Sequence, residues 1–274
     1  MQPLRLMAVL AHPDDESMGI GGILAKYAAE GVGTYLITAT RGQHGWPGNT
    51  DADPGPERLG AIREAELRAA AATLKISDVR LLEYMDGELD SSDPAAMTQT
   101  LVDHLRRVRP QVVVTFDPTG YYGHPDHIAI AQSATAAVVA AADPAFESPT
   151  QSAAHRVSKL YYLAPLASTI ALYEAAMGDL VMTVEGGDRR PVAWPDWAVS
   201  ARIDATDYWQ QVWQAVGAHR SQLPAYRPLR ELTPAQQRQL WGTQTFYRAM
   251  SLVNAGRGVE DDLFAGLRVR QREK

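Results

Sequence analysis

A chain of 274 residues with 46% hydrophobic and 21% charged side chains can bury one large core and is too apolar to be disordered. Its formal charge of -6 argues against nucleic-acid or anionic-membrane partners. The absence of cysteine excludes disulfide scaffolds, thiolate zinc fingers, iron–sulfur clusters and thiol nucleophiles, so any metal must sit on His, Asp or Glu.

Leu4 to Ala11 reads as a buried strand, and its apolar run is too short for a signal-peptide core or a bilayer span. A cytoplasmic protein is the expectation. Ser17 to Glu30 follows as a helix, Gly33 to Thr40 as a second strand, and Glu57 to Leu74 as a second helix after the Gly/Pro/Asp-rich loop 41–56. Val79 to Leu82 and Val112 to Phe116 supply two more strands, followed by helices at Pro94 to Arg109 and His127 to Ala142. Four βα repeats predict an α/β, Rossmann-like, mostly parallel sheet with helices on both faces, whose ligand crevice lies at the strand carboxyl ends.

Beyond a surface connection at 143–155, Lys159 to Leu163 reads as a fifth strand. An apolar run at Leu180 to Val184, a turn at Trp194 to Trp197, and helices at Asp204 to Gln222 and Pro234 to Gly242 follow. The expectation is a single domain over 1–274: a core at 1–142 and C-terminal additions at 143–274, ending in a solvated charged tail. Trp209 and Trp213, at helical spacing, read as core, and His104 and His155 as surface residues.

Two strand-to-helix loops carry the chemistry. The first is His12-Pro13-Asp14-Asp15-Glu16. An Asp before a helix can serve as a cap, but capping leaves His12 without a role. The fourth loop, Asp117 to His127, concentrates His124, Asp126 and His127 beside Asp117, which no packing role demands. If strands one and four are neighbours, His12, Asp15 and His127 converge on one cation. Two His and one carboxylate suit a catalytic zinc or a non-haem iron.

Ala11-His12-Pro13-Asp14-Asp15-Glu16 after the first strand, with Gly123-His124-Pro125-Asp126-His127 after the fourth, resembles the PIG-L/LmbE-like family of zinc-dependent de-N-acetylases. The similarity covers residues 4 to about 142. It implies a metal-dependent hydrolase that removes the N-acetyl group of an N-acetylglucosamine-containing small molecule by attack of a zinc-bound water. The implied cofactor is one zinc per chain, with Fe(II) as a cellular alternative.

The resemblance makes His12, Asp15 and His127 the metal ligands and Asp14 the general base. His124 is implied to stabilise the oxyanion or protonate the amine, with Asp126 holding it and raising its pKa, and Tyr122 to contact the carbonyl oxygen. Arg41 and Asp86 correspond to sugar-contacting positions, and His219 to a residue at the site's rim. Gln43, followed by His44, replaces an acidic residue of many relatives.

The expected partner is a small amino sugar, without nucleic acid or a membrane span and with homo-oligomerisation left open. The alternatives are an amidase for a thiol-cofactor S-conjugate and a non-catalytic carbohydrate-binding protein. An iron oxygenase is disfavoured because such enzymes usually sit on all-β scaffolds. Gly19-x-Gly21-Gly22 suggests a nucleotide module but misses the dinucleotide spacing.

Overall fold

The run Leu6 to Leu10 has no polar residue because β1 (Arg5–Leu10) is buried on both faces at the centre of a parallel sheet. The structure, a computed structural model, describes residues 3–48, 52–148, 150–184, 186–253, 256 and 258–268. The charged tail beyond 268 lies outside the described residues. Helix α1 (Asp15–Ala29) leads to β2 (Gly33–Thr40), α2 (Pro56–Leu74) to β3 (Asp78–Tyr84), and α3 (Pro94–Val108) to β4 (Val112–Thr115). A distorted turn, α4 (Gly120–Gly123), and α5 (Pro125–Ala140) precede β5 (Lys159–Leu163).

The later chain forms α6 (Ala167–Met177), a separate hairpin of β6 (Met182–Val184) and β7 (Gly187–Arg189), β8 (Ala201–Asp204), α7 (Trp209–Val216), α8 (Pro234–Gly242) and β9 (Thr243–Ser251). The main sheet runs β3-β2-β1-β4-β5-β9-β8. The first five strands in chain order are parallel, whereas β9 and β8 extend the edge antiparallel. Helices α1, α2 and α7 pack together, as do α3 and α5.

β1 pairs with both β2 and β4, with Leu6 opposite Val112, so the chain changes direction between β1 and β4. That switch point lies between the two loops that carry the His and Asp motifs, where open α/β sheets form their ligand crevice.

The additions differ from expectation in three places. Asp204 to Gln222 is not one helix: Asp204 ends a strand, a 3-10 turn follows, and α7 stops at Val216. Neither α6 nor β9 was expected. β9 buries Gln244 alongside Phe246, so its inner face lacks the apolar alternation that marks a strand. The glycines 19, 21 and 22 lie inside α1: a Cβ on Gly22 would meet that of Ala205 at 2.8 Å, and one on Gly21 would meet Val212 at 3.3 Å. They serve helix packing, not phosphate.

A second, smaller core joins Tyr173, Val212, Val216, Leu229, Leu240 and Trp241, where Trp213 stacks on Trp241 at 5.7 Å. His155 is buried, contrary to expectation, because its Nε2 reaches the Pro110 carbonyl at 2.7 Å. Among the described residues no helix is long and apolar enough to cross a membrane.

Candidate active site

The loop after β1 turns sharply at Asp14, whose φ of 105° is a left-handed conformation that costs a non-glycine residue free energy. Asp14 stands at the N-cap of α1, yet its side chain makes no capping bond. The strain instead turns its carboxylate inward, where Oδ2 accepts from Arg63 Nη2 at 3.0 Å and from the Tyr226 hydroxyl at 2.7 Å. The loop after β4 is equally constrained. Gly120 has a φ of 67°, and a Cβ there would meet Ile128 at 2.8 Å. Asp117, which accepts from the Tyr121 N–H, the Thr119 hydroxyl and the Trp194 indole, holds this turn.

The two loops bring His12, Asp15 and His127 together. His12 Nδ1 lies 3.2 Å from His127 Nε2 and 3.7 Å from Asp15 Oδ2, and His127 Nε2 lies 3.4 Å from Asp15 Oδ1. Ligands held about 2.0–2.1 Å from a tetrahedral metal stand about 3.4 Å apart, so this spacing fits a first coordination shell.

Hydrogen bonds fix which nitrogens face inward. His12 Nε2 is 3.0 Å from both Asp86 Oδ1 and Asp126 Oδ2, so a ring proton sits there and Nδ1 is the nitrogen left to face the cluster. His127 Nδ1 lies 3.2 Å from the Gly120 carbonyl, which places that ring's proton on Nδ1 and the lone pair on Nε2. His12 Nδ1 and His127 Nε2 therefore face each other across 3.2 Å, where a shared cation would take the place of a shared proton. Carboxylate and carbonyl acceptors behind metal-binding imidazoles are the usual outer support.

A second group, His12, Asp86 and His124, also has the composition of a metal site. It would need the His12 nitrogen that two carboxylates already occupy, so the first group is the better ligand set. Burial alone would lower the His12 pKa, but Asp126 and Asp86 outweigh it and raise the value to about 10. Burial raises Asp15 to about 7 against the pull of His12. The His12 shift reflects the carboxylates gathered around its ring, and the Asp15 shift reflects its burial. Burial, with His12 and His124 alongside, keeps His127 neutral, the form that ligates.

Three expected residues have other partners. Asp126 turns away from the His124 ring, its Oδ2 on His12 and on the Gly87 N–H and its Oδ1 on the Leu89 N–H. His124 instead receives the Asp126 backbone N–H on Nδ1, which leaves the proton of its neutral ring on Nε2. Burial and His12 lower its pKa to about 4 despite Asp126, the reverse of the expected rise. Arg41 lies between Glu64 and Glu83 in a partly exposed ion pair. Asp86 spends one oxygen on His12 and the other on the His44 N–H.

His219 is fully buried instead of standing at the rim, because its Nε2 pairs with the buried Glu16 carboxylate at 2.8 Å. Glu16 in turn accepts the Asp14 N–H at 3.0 Å. Burial would raise Glu16 and lower His219, but their mutual charge lowers Glu16 below 4.5 and raises His219 above 6.5. Glu16 therefore contributes fully above pH 4.5 and loses its contribution as pH falls through its lowered pKa. His219 contributes fully below pH 6.5 and loses its contribution as pH rises through its raised pKa. Urea denaturation should find His219→Ala less stable by about 3–5 kcal/mol, the cost of orphaning a buried charge, with the wild-type margin widest between those values. A margin that does not change with pH would exclude the ion pair.

Tyr122 lines a cavity of about 280 Å³ with Asp14, Asp15, His127 and Tyr226. Sequence reasoning missed Arg63 and Tyr226. Arg63 had a signal, since it interrupts the buried stripe Leu59, Leu67, Ala70 and Leu74 of α2 at helical spacing. Tyr226 had none.

Comparison with known proteins identifies the family. Residues 7–138 match the PIG-L family, described as GlcNAc-PI de-N-acetylase. The chain is 36% identical to a 1D-myo-inositol 2-acetamido-2-deoxy-alpha-D-glucopyranoside deacetylase of Geodermatophilus obscurus over 96% of this chain and 98% of the relative. It is 37% identical to the protein of that name in Nocardioides sp., with the same coverage. Among solved structures, a conserved protein from Thermus thermophilus is 26% identical, with a TM-score of 0.65 over 91% of this chain and 96% of that one. Both motif loops fall inside the matched segment, and the similarity to the relatives runs nearly end to end: the chain belongs to the PIG-L family of de-N-acetylases.

Proposed function

We propose that this protein hydrolyses the N-acetyl amide of a small N-acetylglucosaminide, with His12, Asp15 and His127 as zinc ligands and Asp14 as general base. The observation that carries the reading is the pair of inward-facing ring nitrogens of His12 and His127, 3.2 Å apart beside Asp15, with the Asp14 carboxylate in the same cavity. A divalent ion bound there supplies a Lewis acid that polarises the amide carbonyl and acidifies water. Asp14, held in place by the Arg63 guanidinium and the Tyr226 phenol, takes the proton of the attacking water. His124 presents an Nε2–H to the oxygen or nitrogen of the breaking amide, and Tyr122 closes the cavity beside His127.

The names of the relatives support an inositol aglycone, and Asp86 and Arg63 act through His12 and Asp14 in addition to any sugar contact. The same reading includes a soluble amino-sugar partner and a cytoplasmic location. Metal-loaded protein should release acetate from N-acetylglucosaminyl inositol and, with a higher KM, from N-acetylglucosamine. Cleavage of thioether-conjugate amides without acetate release from any N-acetyl sugar would replace this reading with the conjugate-amidase one.

A further inference from the structure

The cavity at the metal-ligand cluster has two unlike sides. Asp14, Asp15, Tyr122 and His127 form one end, and from there the lining runs to Met18, Leu163, Tyr173, Met177, Leu180 and Met182. The lining away from the ligands comes mostly from the β5 side of β1: Leu163 ends β5, Tyr173 and Met177 belong to α6, and Met182 opens β6. Three polar groups near the centre lie on the opposite side of β1. Arg63 stands on α2, and His44 and Asp86 follow β2 and β3; none of the three lines this cavity.

An amide carbonyl carbon carries two substituents, the nitrogen with its sugar and the acyl carbon, which diverge from the reacting atom. A sugar placed against Leu163, Met177 and Met182 would lose hydration of its hydroxyls without replacement, at a cost for each unpaired group. The same surface gains from every methylene it covers. Three thioethers, on Met18, Met177 and Met182, give that wall an adaptable shape.

Building on the amide-hydrolase reading above, we propose that the cavity between Met18, β5 and α6 is an acyl-chain site, and that the enzyme cleaves N-acyl glucosamines with chains longer than acetyl. Water adds its oxygen to the carbonyl carbon, the C–N bond breaks, and the amine leaves with a proton while the acyl group leaves as a carboxylate. The chain adds binding without touching the reacting atoms, so its effect falls on KM and leaves kcat nearly constant.

The test is a steady-state series of N-acetyl, N-butanoyl and N-hexanoyl glucosamine with metal-loaded protein. KM should fall by roughly a few-fold per added methylene, the factor that about 0.8 kcal/mol per buried CH2 yields. Met177→Trp, which fills the cavity, should reverse the preference toward acetyl, and Met177→Ala should move it toward hexanoyl and longer chains. Hydrolysis of the acetyl compound with KM rising along the series, or a chain preference indifferent to both variants, overturns the acyl site and leaves the deacetylase reading standing. An octyl aglycone that lowers KM in place of the acyl chain, with Met177→Trp abolishing that gain, also overturns it, since the apolar wall would then hold the leaving side. No cleavage of any N-acyl glucosamine overturns the parent reading as well.

Discussion

Alanine in place of His12, Asp15 or His127 should strip the divalent ion from the purified protein and reduce amide hydrolysis to background. Each supplies one atom of a set spaced 3.2 to 3.7 Å apart, and two remaining ligands do not hold a catalytic zinc firmly. The outer residues should behave differently. Asp126→Ala and Asp86→Ala leave the three ligands in place but release the His12 ring from the carboxylates that orient it and fix its proton. Metal affinity should then fall by about 10–100-fold, the usual scale for such support, and excess zinc should restore much of the activity. Elemental analysis of dialysed protein measures both effects. Full metal occupancy with all three ligands replaced would sink the assignment.

The second large effect is expected at Asp14. Asp14→Asn should retain the metal, bind substrate with nearly unchanged KM and lose about 10²–10⁴-fold in kcat, the range for a missing general base. Asparagine is the apt replacement because it tolerates the left-handed backbone that a φ of 105° requires, so the loop and its neighbour Asp15 keep their places. Arg63→Ala should lower kcat by less than Asp14→Asn does, since it frees the Asp14 carboxylate without removing it. A kcat for Asp14→Asn within a few-fold of wild type, measured on metal-replete protein, would take the base role from Asp14.

The Glu16–His219 pair bears on the same residue. It holds the strained Asp14 peptide through its N–H, so the stability of the pair and the aim of the Asp14 carboxylate are physically joined. The resemblance implies a rim position for His219, which its burial overturns. A helix-terminal His has the same local signature whether the space beyond it is solvent or protein.

Much of the first half was legible because its signals are local. β1 carries the apolar run Leu6–Leu10 and β4 the run Val112–Val114, α3 begins with a capping Asp93 and Pro94, and the boundaries of β2, β5 and α8 fall where turn residues and periodicity place them. The two motif loops were legible for the same reason, since an α/β sheet presents its chemistry directly after its strands. Local patterns do not encode which distant groups meet a side chain. Asp126 lies two residues from His124 but serves His12 across 114 positions, and Asp14 is held from Arg63 and Tyr226, 49 and 212 residues away. Arg41 and Asp86 sit at strand ends as the motifs require, yet tertiary neighbours direct them to glutamates and to His12. The sequence by itself determined the parallel core, the two loops and the residue types that can hold a metal. The tertiary structure alone decided which nitrogen of each histidine faces inward, which partners hold the Asp14 carboxylate, and that one wall of the cavity beside them is apolar. Ring protons and carboxylate partners follow from hydrogen-bond geometry between distant segments, and no periodicity along the chain records that geometry.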